Sequence, residues 1–577
     1  MAASTTEARI PIVAEIVRNA LVSVTNEMKI DLMRSSYNPI IYEMLDFSVG
    51  LFTERAETLA QAAGLPQFLC DMPNAINSIL DDVGGIGTME DGDIYLTNDP
   101  YTSSFHVNDV TVIEPIFHDG RVVAFAGARA HWHDMGGKSA GGSTDATNVY
   151  QEGLLLRSIR LAHRGEVDEN VIRIIKENSR LPIAVVGDLN AQIAACHTGS
   201  ARLRDLLERY GLDVFNRSIH IMMEEGEAQA RAAVRAIPDG EYSAQGFLDN
   251  DGVDLERQLH ISVTVRVSGD QIEFDLTGTD GPCLGPLNAN RLITASEVRL
   301  AFKTLTTPTE AANDGHFRPL KVIVPDGCLL DAERPSPTLL AFIPCELMID
   351  LIRKALAPAM PDKVTAADYG KCCVMHAAGK SPRDDSFVIL ADTEGGGWGA
   401  TPFADGQSAL LFGDIRVIPV EVLEYKYPVL LEQYSLRQDS GGAGLHRGGL
   451  GIVKDYRTTD DLSLLTGYDR HDCPPWGLFG GHAGAPNTIV VHRADGSRDE
   501  FRKTTEYPLS DGDVTSFRTA GGGGYGTPLE RDPERVLSDV IDGYVSAEAA
   551  RRDYGVVLAE GGTVVDAEAT RGARSGM

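Results

Sequence analysis

Four side chains in the first quarter of the sequence are of types that bind divalent metal ions. His106 and Asp109 stand three apart in Asn98-Asp-Pro-Tyr-Thr-Ser-Ser-Phe-His-Val-Asn-Asp-Val. His131 stands in Ala128-Arg-Ala-His-Trp-His-Asp-Met-Gly-Gly, just past the apolar run Val122–Ala126, and Asp46 lies upstream in Met44-Leu-Asp-Phe-Ser-Val-Gly. Two neutral imidazoles and two carboxylates suit a divalent ion such as Zn²⁺, Mn²⁺ or Fe²⁺, whose charge the two acids cancel. With an open position, such an ion lowers the pKa of bound water to about 7 and generates hydroxide. His-x-x-Asp spacing by itself also arises by chance, and a lone His is more often a hydrogen-bonded structural residue. The crowding of His106, His118, His131 and His133, four of the 14 histidines, into one short stretch favours the metal reading.

Other candidates carry less. Asp134 follows His131 by three, either as an orienter or proton shuttle or as a cap for the Gly136-Gly137 turn. His133 is expected to orient or pack rather than to ligate. Cys372-Cys373 near His376 has the elements of thiol chemistry but no third positioning group, so buried thiols are the expectation. The glycine stretches Asp439–Gly451 and Ala520–Gly526 lack the Gly-Lys-Ser/Thr of a P-loop and the strand–GxGxxG–helix setting of a dinucleotide fold. They are expected to allow tight turns and close backbone packing.

The elements that must position these groups follow from periodicity. Apolar residues at spacings of three and four over 10–34 predict a helix. From 40 to 135 short strands are expected at Phe47–Thr53, Asp93–Thr97, Val110–Ile113 and Val122–Ala126. Helix returns over 168–236. Alternation in Leu259–Val267 and Ile272–Leu276 about Ser268-Gly269-Asp270 predicts a hairpin. Helices at 294–306 and 345–358 follow, then a strand-and-turn region from about 386 to 527, then a tail with one or two short helices and a frayed end. The expected class is α+β, a multidomain mixed fold. Its parts are a β-rich metal-binding region with an N-terminal helix (1–165), a helical segment (166–240), an α+β middle domain (241–385), a Gly-rich β domain (386–530) and a helical tail (531–577).

Composition bounds the function. The 577 residues hold 83 acidic and 52 basic side chains, a net charge of −31, which argues against nucleic acid and anionic membrane as partners. No apolar run reaches the roughly 18 residues of a membrane span, and Met1–Arg9 lacks the apolar core of a signal peptide. Eight scattered Cys without a CxxC pair fit a reduced, cytoplasmic protein.

Taken in order, several motifs resemble the hydantoinase B/oxoprolinase family. They are Leu45-Asp-Phe-Ser-Val, Asn98-Asp-Pro-Tyr, His106-Val-Asn-Asp, Ala130-His-Trp-His-Asp-Met-Gly-Gly, Gly187-Asp-Leu-Asn-Ala-Gln-Ile-Ala-Ala, and the two glycine stretches ending at Pro528. Each is loose, but the ordered set spans nearly the whole chain. The resemblance implies a B-type subunit paired with an A-type subunit, the latter holding ATP and Mg²⁺ and phosphorylating a substrate oxygen. It also implies one divalent ion on Asp46, His106, Asp109 and His131, Zn²⁺ preferred over Mn²⁺ or Fe²⁺. The reaction expected is hydrolysis of a small cyclic amide of hydantoin, oxoproline or lactam type. The alternatives are an ATP-dependent ketone carboxylase of acetone or acetophenone type, and a non-catalytic scaffold with a structural metal.

Overall fold

A computed structural model describes residues 10–559 and 561–577. The reading of Met1–Arg9 therefore lies outside the described residues. The helix Ile10–Ser35 buries Ala14, Val17, Leu21, Val24, Met28 and Leu32 along one stripe, as its spacing predicts. It packs on the two long helices Pro182–Tyr210 and Leu212–Arg235. No helix among the described residues is long and apolar enough to cross a membrane.

Seven strands form the first sheet. They are β1 (Phe47–Thr53), β2 (Thr58–Gln61), β3 (Ile94–Thr97), β4 (Asp109–His118), β5 (Arg121–His131), β6 (Ile159–His163) and β7 (Glu166–Val167), in the order β2-β1-β5-β4-β3-β6-β7. Its central strands β4 and β5 are buried on both faces, because the helix Pro182–Tyr210 covers one face and Pro66–Val83 the other. A second sheet runs β11-β10-β9-β8, from β8 (Gly240–Leu248), β9 (Leu259–Ser268), β10 (Gln271–Asp275) and β11 (Leu320–Ile323). The expected hairpin is β9–β10, closing at Ser268↔Gln271.

Two further sheets occupy the Gly-rich part. The third runs β13-β12-β16-β19, from β12 (Cys373–Lys380), β13 (Phe387–Glu394), β16 (Leu462–Gly467) and β19 (Lys503–Leu509). The fourth runs β14-β15-β20-β17-β18, from β14 (Val429–Leu436), β15 (Ile452–Thr458), β17 (Thr488–His492), β18 (Arg498–Phe501) and β20 (Val514–Arg518). The α+β class is as expected.

Two helices begin earlier than expected. Asn290 caps the helix Arg291–Thr306, its side chain accepting from the N–H groups of Leu292 and Ile293. The helix Phe342–Leu356 starts before Pro344, which falls in the first turn, where its missing N–H costs little. The tail differs more. It forms three helices, Pro533–Ile541, Ala547–Tyr554 and Ala567–Ser575, and its end is pinned rather than frayed. Arg574 donates to the carbonyls of Arg531 at 2.7 Å and Tyr554 at 3.0 Å.

The glycine stretches pack backbone on backbone. A Cβ on Gly522 would lie 2.0 Å from the Trp398 carbonyl oxygen, and one on Gly448 would lie 1.9 Å from that of Gly522. Their amides are already used: Gly522 N–H donates to Gly449, Gly523 to Ala367 and Gly524 to His482. Close packing was the expectation, and these amides are not free to cradle a phosphate.

Candidate metal centre

The sheet order brings three of the four proposed ligands to one end of three neighbouring strands. β1, β5 and β4 are neighbours, and Asp109 at the start of β4 is paired with His131 at the end of β5. Asp46 immediately precedes β1, and its carbonyl accepts the His131 N–H at 3.1 Å. His106 reaches the same place by a turn, closed by Asp109 N–H donating to the His106 carbonyl at 3.1 Å. His106 Nδ1 and His131 Nδ1 lie 3.4 Å and 3.3 Å from Asp109 Oδ1. Ligands about 2.1 Å from one tetrahedral ion lie about 3.4 Å apart, so these spacings fit a shared cation. Candidate donor atoms of His106, Asp109 and His131 all fall within 4.8 Å of one another. Asp46 is outside that cluster but lines the same cavity.

Four buried polar atoms here lack a hydrogen-bond partner: Asp46 Oδ1, His106 Nδ1, Asp109 Oδ2 and His131 Nε2. Buried polar groups are nearly always satisfied, so this concentration of orphans fits residues built to hold an ion. The charge states of His106 and Asp109 agree with this. Burial lowers His106 to about 4, leaving the imidazole neutral as a ligand must be. Burial would raise Asp109, but the imidazoles of His106 and His131, with Arg129 beyond, hold it below the usual carboxylate range. Burial pushes Asp46 up to about 6, opposed by His131 and helped by Asp109. His131 feels the burial penalty too, yet its bond to Asp109 and the charge of Asp46 raise it above the ordinary value.

The supporting network explains motifs whose roles the sequence left unassigned. Gln192, in Gly187-Asp-Leu-Asn-Ala-Gln, donates from Nε2 to the carbonyls of Val110 at 2.8 Å and Ala128 at 2.9 Å, and accepts from Trp132 Nε1 at 2.8 Å. It thereby clamps the strand ends that carry Asp109 and His131. Asp188 accepts from the N–H groups of Tyr37 and Asn38, and a Cβ on Gly187 would strike the Tyr37 ring at 2.3 Å. That contact fixes the loop leading to Asp46. Asn98 donates to Val107 and Leu154 and accepts from Leu156, holding the His106 loop. The fully buried Arg129 ties β5 to Asp71 at 2.6 Å and to Thr111 at 2.7 Å.

Asp134 does not join the site. Its carboxylate accepts from the Arg180 backbone N–H at 2.5 Å and the Arg180 guanidinium at 2.8 Å, and it does not line the cavity. The turn-and-anchor reading fits this geometry, and no proton transfer is assigned to Asp134. Replacing Asp134→Asn is expected to cost about 1–3 kcal/mol of stability through the lost charge-assisted bonds. Metal content should stay unchanged; thermal denaturation and metal analysis of the variant check this.

His376 is the residue whose place the sequence did not reveal. It lies on β12 and lines the same cavity as the candidate ligands, with ring centroids 6.5 Å from His131 and 6.2 Å from His133. Its Nδ1 is buried without a partner, beside Gly141, where a Cβ would lie 2.6 Å away. Burial, reinforced by His131, lowers it to about 3. Cys372 lines the cavity, but burial keeps both Cys372 and Cys373 as thiols, far above the ordinary cysteine range. The expectation against thiol chemistry agrees with that. The cavity has a volume of about 70 Å³.

Comparison with known proteins now bears on this site. The hydantoinase B/oxoprolinase family profile matches residues 10–528. The chain belongs to that family. It is 32% identical to the B-type chain of a putative D-/L-hydantoinase of Pseudomonas sp. strain NS671, covering 95% of each chain. It is also 32% identical to the beta chain of the caprolactamase of Pseudomonas jessenii, covering 98% of this chain and 99% of that one. The crystal structure of the ATP-dependent caprolactamase from that organism superposes with a TM-score of 0.92 at 30% identity, over 98% of this chain and 99% of that one. Nucleotide-free acetone carboxylase shares the fold, with a TM-score of 0.92 at 20% identity over 98% of this chain and 82% of that one.

Proposed function

We propose that this chain is the metal-bearing B-type subunit of a cytoplasmic, ATP-dependent cyclic amidohydrolase. Its partner would be an A-type subunit that holds ATP and Mg²⁺ and phosphorylates the carbonyl oxygen of a hydantoin-, oxoproline- or lactam-like ring. The observation that carries this reading is the convergence of His106, Asp109 and His131, with Asp46 beside them, in an apolar cavity. Full-length identity to hydantoinase and caprolactamase chains supports the reaction class.

A divalent ion on these four residues, Zn²⁺ by preference and otherwise Mn²⁺ or Fe²⁺, would supply Lewis acidity and lower the pKa of water towards about 7. The chain's own side chains do the rest. The carboxylates of Asp46 and Asp109 balance the ion's charge. Apolar walls exclude bulk water and strengthen every electrostatic contact inside. Gln67, Thr393 and His376 line the cavity and would supply polar contacts to the ring amide. Nucleotide chemistry falls to the partner, since the glycine amides of this chain are engaged in its own packing.

The test is ATP turnover by the co-purified two-subunit complex. A cyclic amide should stimulate it, with a product heavier by one water. Turnover that instead requires a ketone and bicarbonate would replace this reading with a ketone carboxylase. A complex that binds metal but spends no ATP with either would favour a scaffold.

A further inference from the structure

We infer that a second pocket, which adjoins the metal cavity across the edge-on His133–His376 pair, binds a small tetrahedral oxyanion, inorganic phosphate. His376 lines the metal cavity and His133 lines this pocket, with ring centroids 6.2 Å apart. The pocket has a volume of about 210 Å³. Two buried donors in its lining lack an acceptor. Asn38 is 2% exposed and its Nδ2 has no partner, while its Oδ1 accepts the Ile40 N–H. His133 is 4% exposed and its Nε2 has no partner. Buried polar groups nearly always find a partner, so two such nitrogens in one pocket call for an acceptor from outside the chain. In the tautomer protonated on Nε2, His133 donates one bond. The Ser381 hydroxyl adds another, since its oxygen accepts the Arg383 N–H at 3.3 Å and keeps its own proton to give.

Two cations complete the lining. Among the described residues neither forms an ion pair: the Arg383 guanidinium lies 4.2 Å over the Tyr425 ring, and Lys426 Nζ donates to the Tyr42 hydroxyl at 2.6 Å. In a chain of net charge −31, unpaired cations sharing one pocket mark a place for an anion. Asp384 also lines the pocket, but its carboxylate accepts from the Ser386 N–H at 3.2 Å and hydroxyl at 2.7 Å. The neighbouring Asp188 is held by the N–H groups of Tyr37 at 2.7 Å and Asn38 at 3.2 Å. The donors of Asn38, His133, Ser381, Arg383 and Lys426 suit the four oxygens of phosphate better than the two of a carboxylate. The choice of phosphate rests on the amidohydrolase reading above. There the phosphoryl group set on the ring oxygen ends as inorganic phosphate, with water supplying what replaces it, and this pocket takes that product beside the metal cavity.

Calorimetric titration of the purified full-length chain with inorganic phosphate tests the site without ATP, substrate or partner. Binding should saturate at a single phosphate per chain. Sulfate should compete, and chloride at equal ionic strength should not. A chain carrying both Arg383→Glu and Lys426→Met should bind phosphate about 10-fold or more weakly, with metal content and circular dichroism unchanged. The His106→Ala chain, depleted of metal, should bind phosphate as the native chain does, which separates this pocket from phosphate held on the ion. The inference is overturned if phosphate does not bind, if binding is lost with the metal, or if the Arg383→Glu, Lys426→Met chain binds it as tightly as the native one. Amide-dependent ATP turnover tests the amidohydrolase reading independently, so either can fail while the other stands.

Discussion

His106→Ala or Asp109→Ala protein is expected to fold and to carry less than about one tenth of an equivalent of divalent metal, against close to one for the native chain. Cyclic-amide turnover by the assembled complex should fall by about 1,000-fold or more, since no remaining group activates water as a divalent ion does. The expectation comes from the geometry. Both residues are buried, their imidazole and carboxylate atoms are 3.4 Å apart, and each keeps an unpartnered polar atom. Truncating His106 removes a donor without removing a side-chain hydrogen bond, and truncating Asp109 removes only its 3.3 Å contact with His131 besides, so metal is lost before stability is. Plasma mass spectrometry of the purified variants, with circular dichroism as the folding control, makes the measurement. Metal retained in both variants would refute the assignment.

Gly522→Ala should be among the most damaging of the single-methyl additions. Its Cβ would sit 2.0 Å from the Trp398 carbonyl oxygen and 2.2 Å from its carbon, both backbone atoms that cannot rotate away. A cost of about 4 kcal/mol or more is expected, enough to abolish soluble yield or sharply lower the apparent melting temperature. Gly281→Ala is the control: nothing lies within 4 Å of its Cβ position, and it should behave like the native chain. The stretches 395–399, 439–451 and 520–526 lock together by this packing.

Much of this was legible in the residues. The helix Ile10–Ser35 and the hairpin β9–β10 follow from local periodicity, and each buries the face that its pattern selects. The meeting of His106, Asp109 and His131 was legible because imidazoles and carboxylates crowd one short stretch of sequence. Asp134 shows where spacing misleads. A separation of three brings His106 and Asp109 together because the chain turns between them, whereas the chain leaves β5 after His131 and carries Asp134 to Arg180. His376 and Gln192 were hidden for the opposite reason. Neither stands out by type or spacing from the other polar residues of its strand or helix, and only the tertiary meeting of β12 and the helix Pro182–Tyr210 with the first sheet gives it a role. The helix starts at Arg291 and Phe342 depend on a cap and on a first-turn proline, which periodicity does not register.

The most direct test of the central claim is an anomalous difference map from crystals of the purified protein, recorded at the absorption edge of the metal found in solution. One peak within bonding distance of His106, Asp109 and His131, with the Asp46 carboxylate turned towards it, is the expected result. A protein without bound metal, or a peak elsewhere with these side chains facing apart, would contradict it.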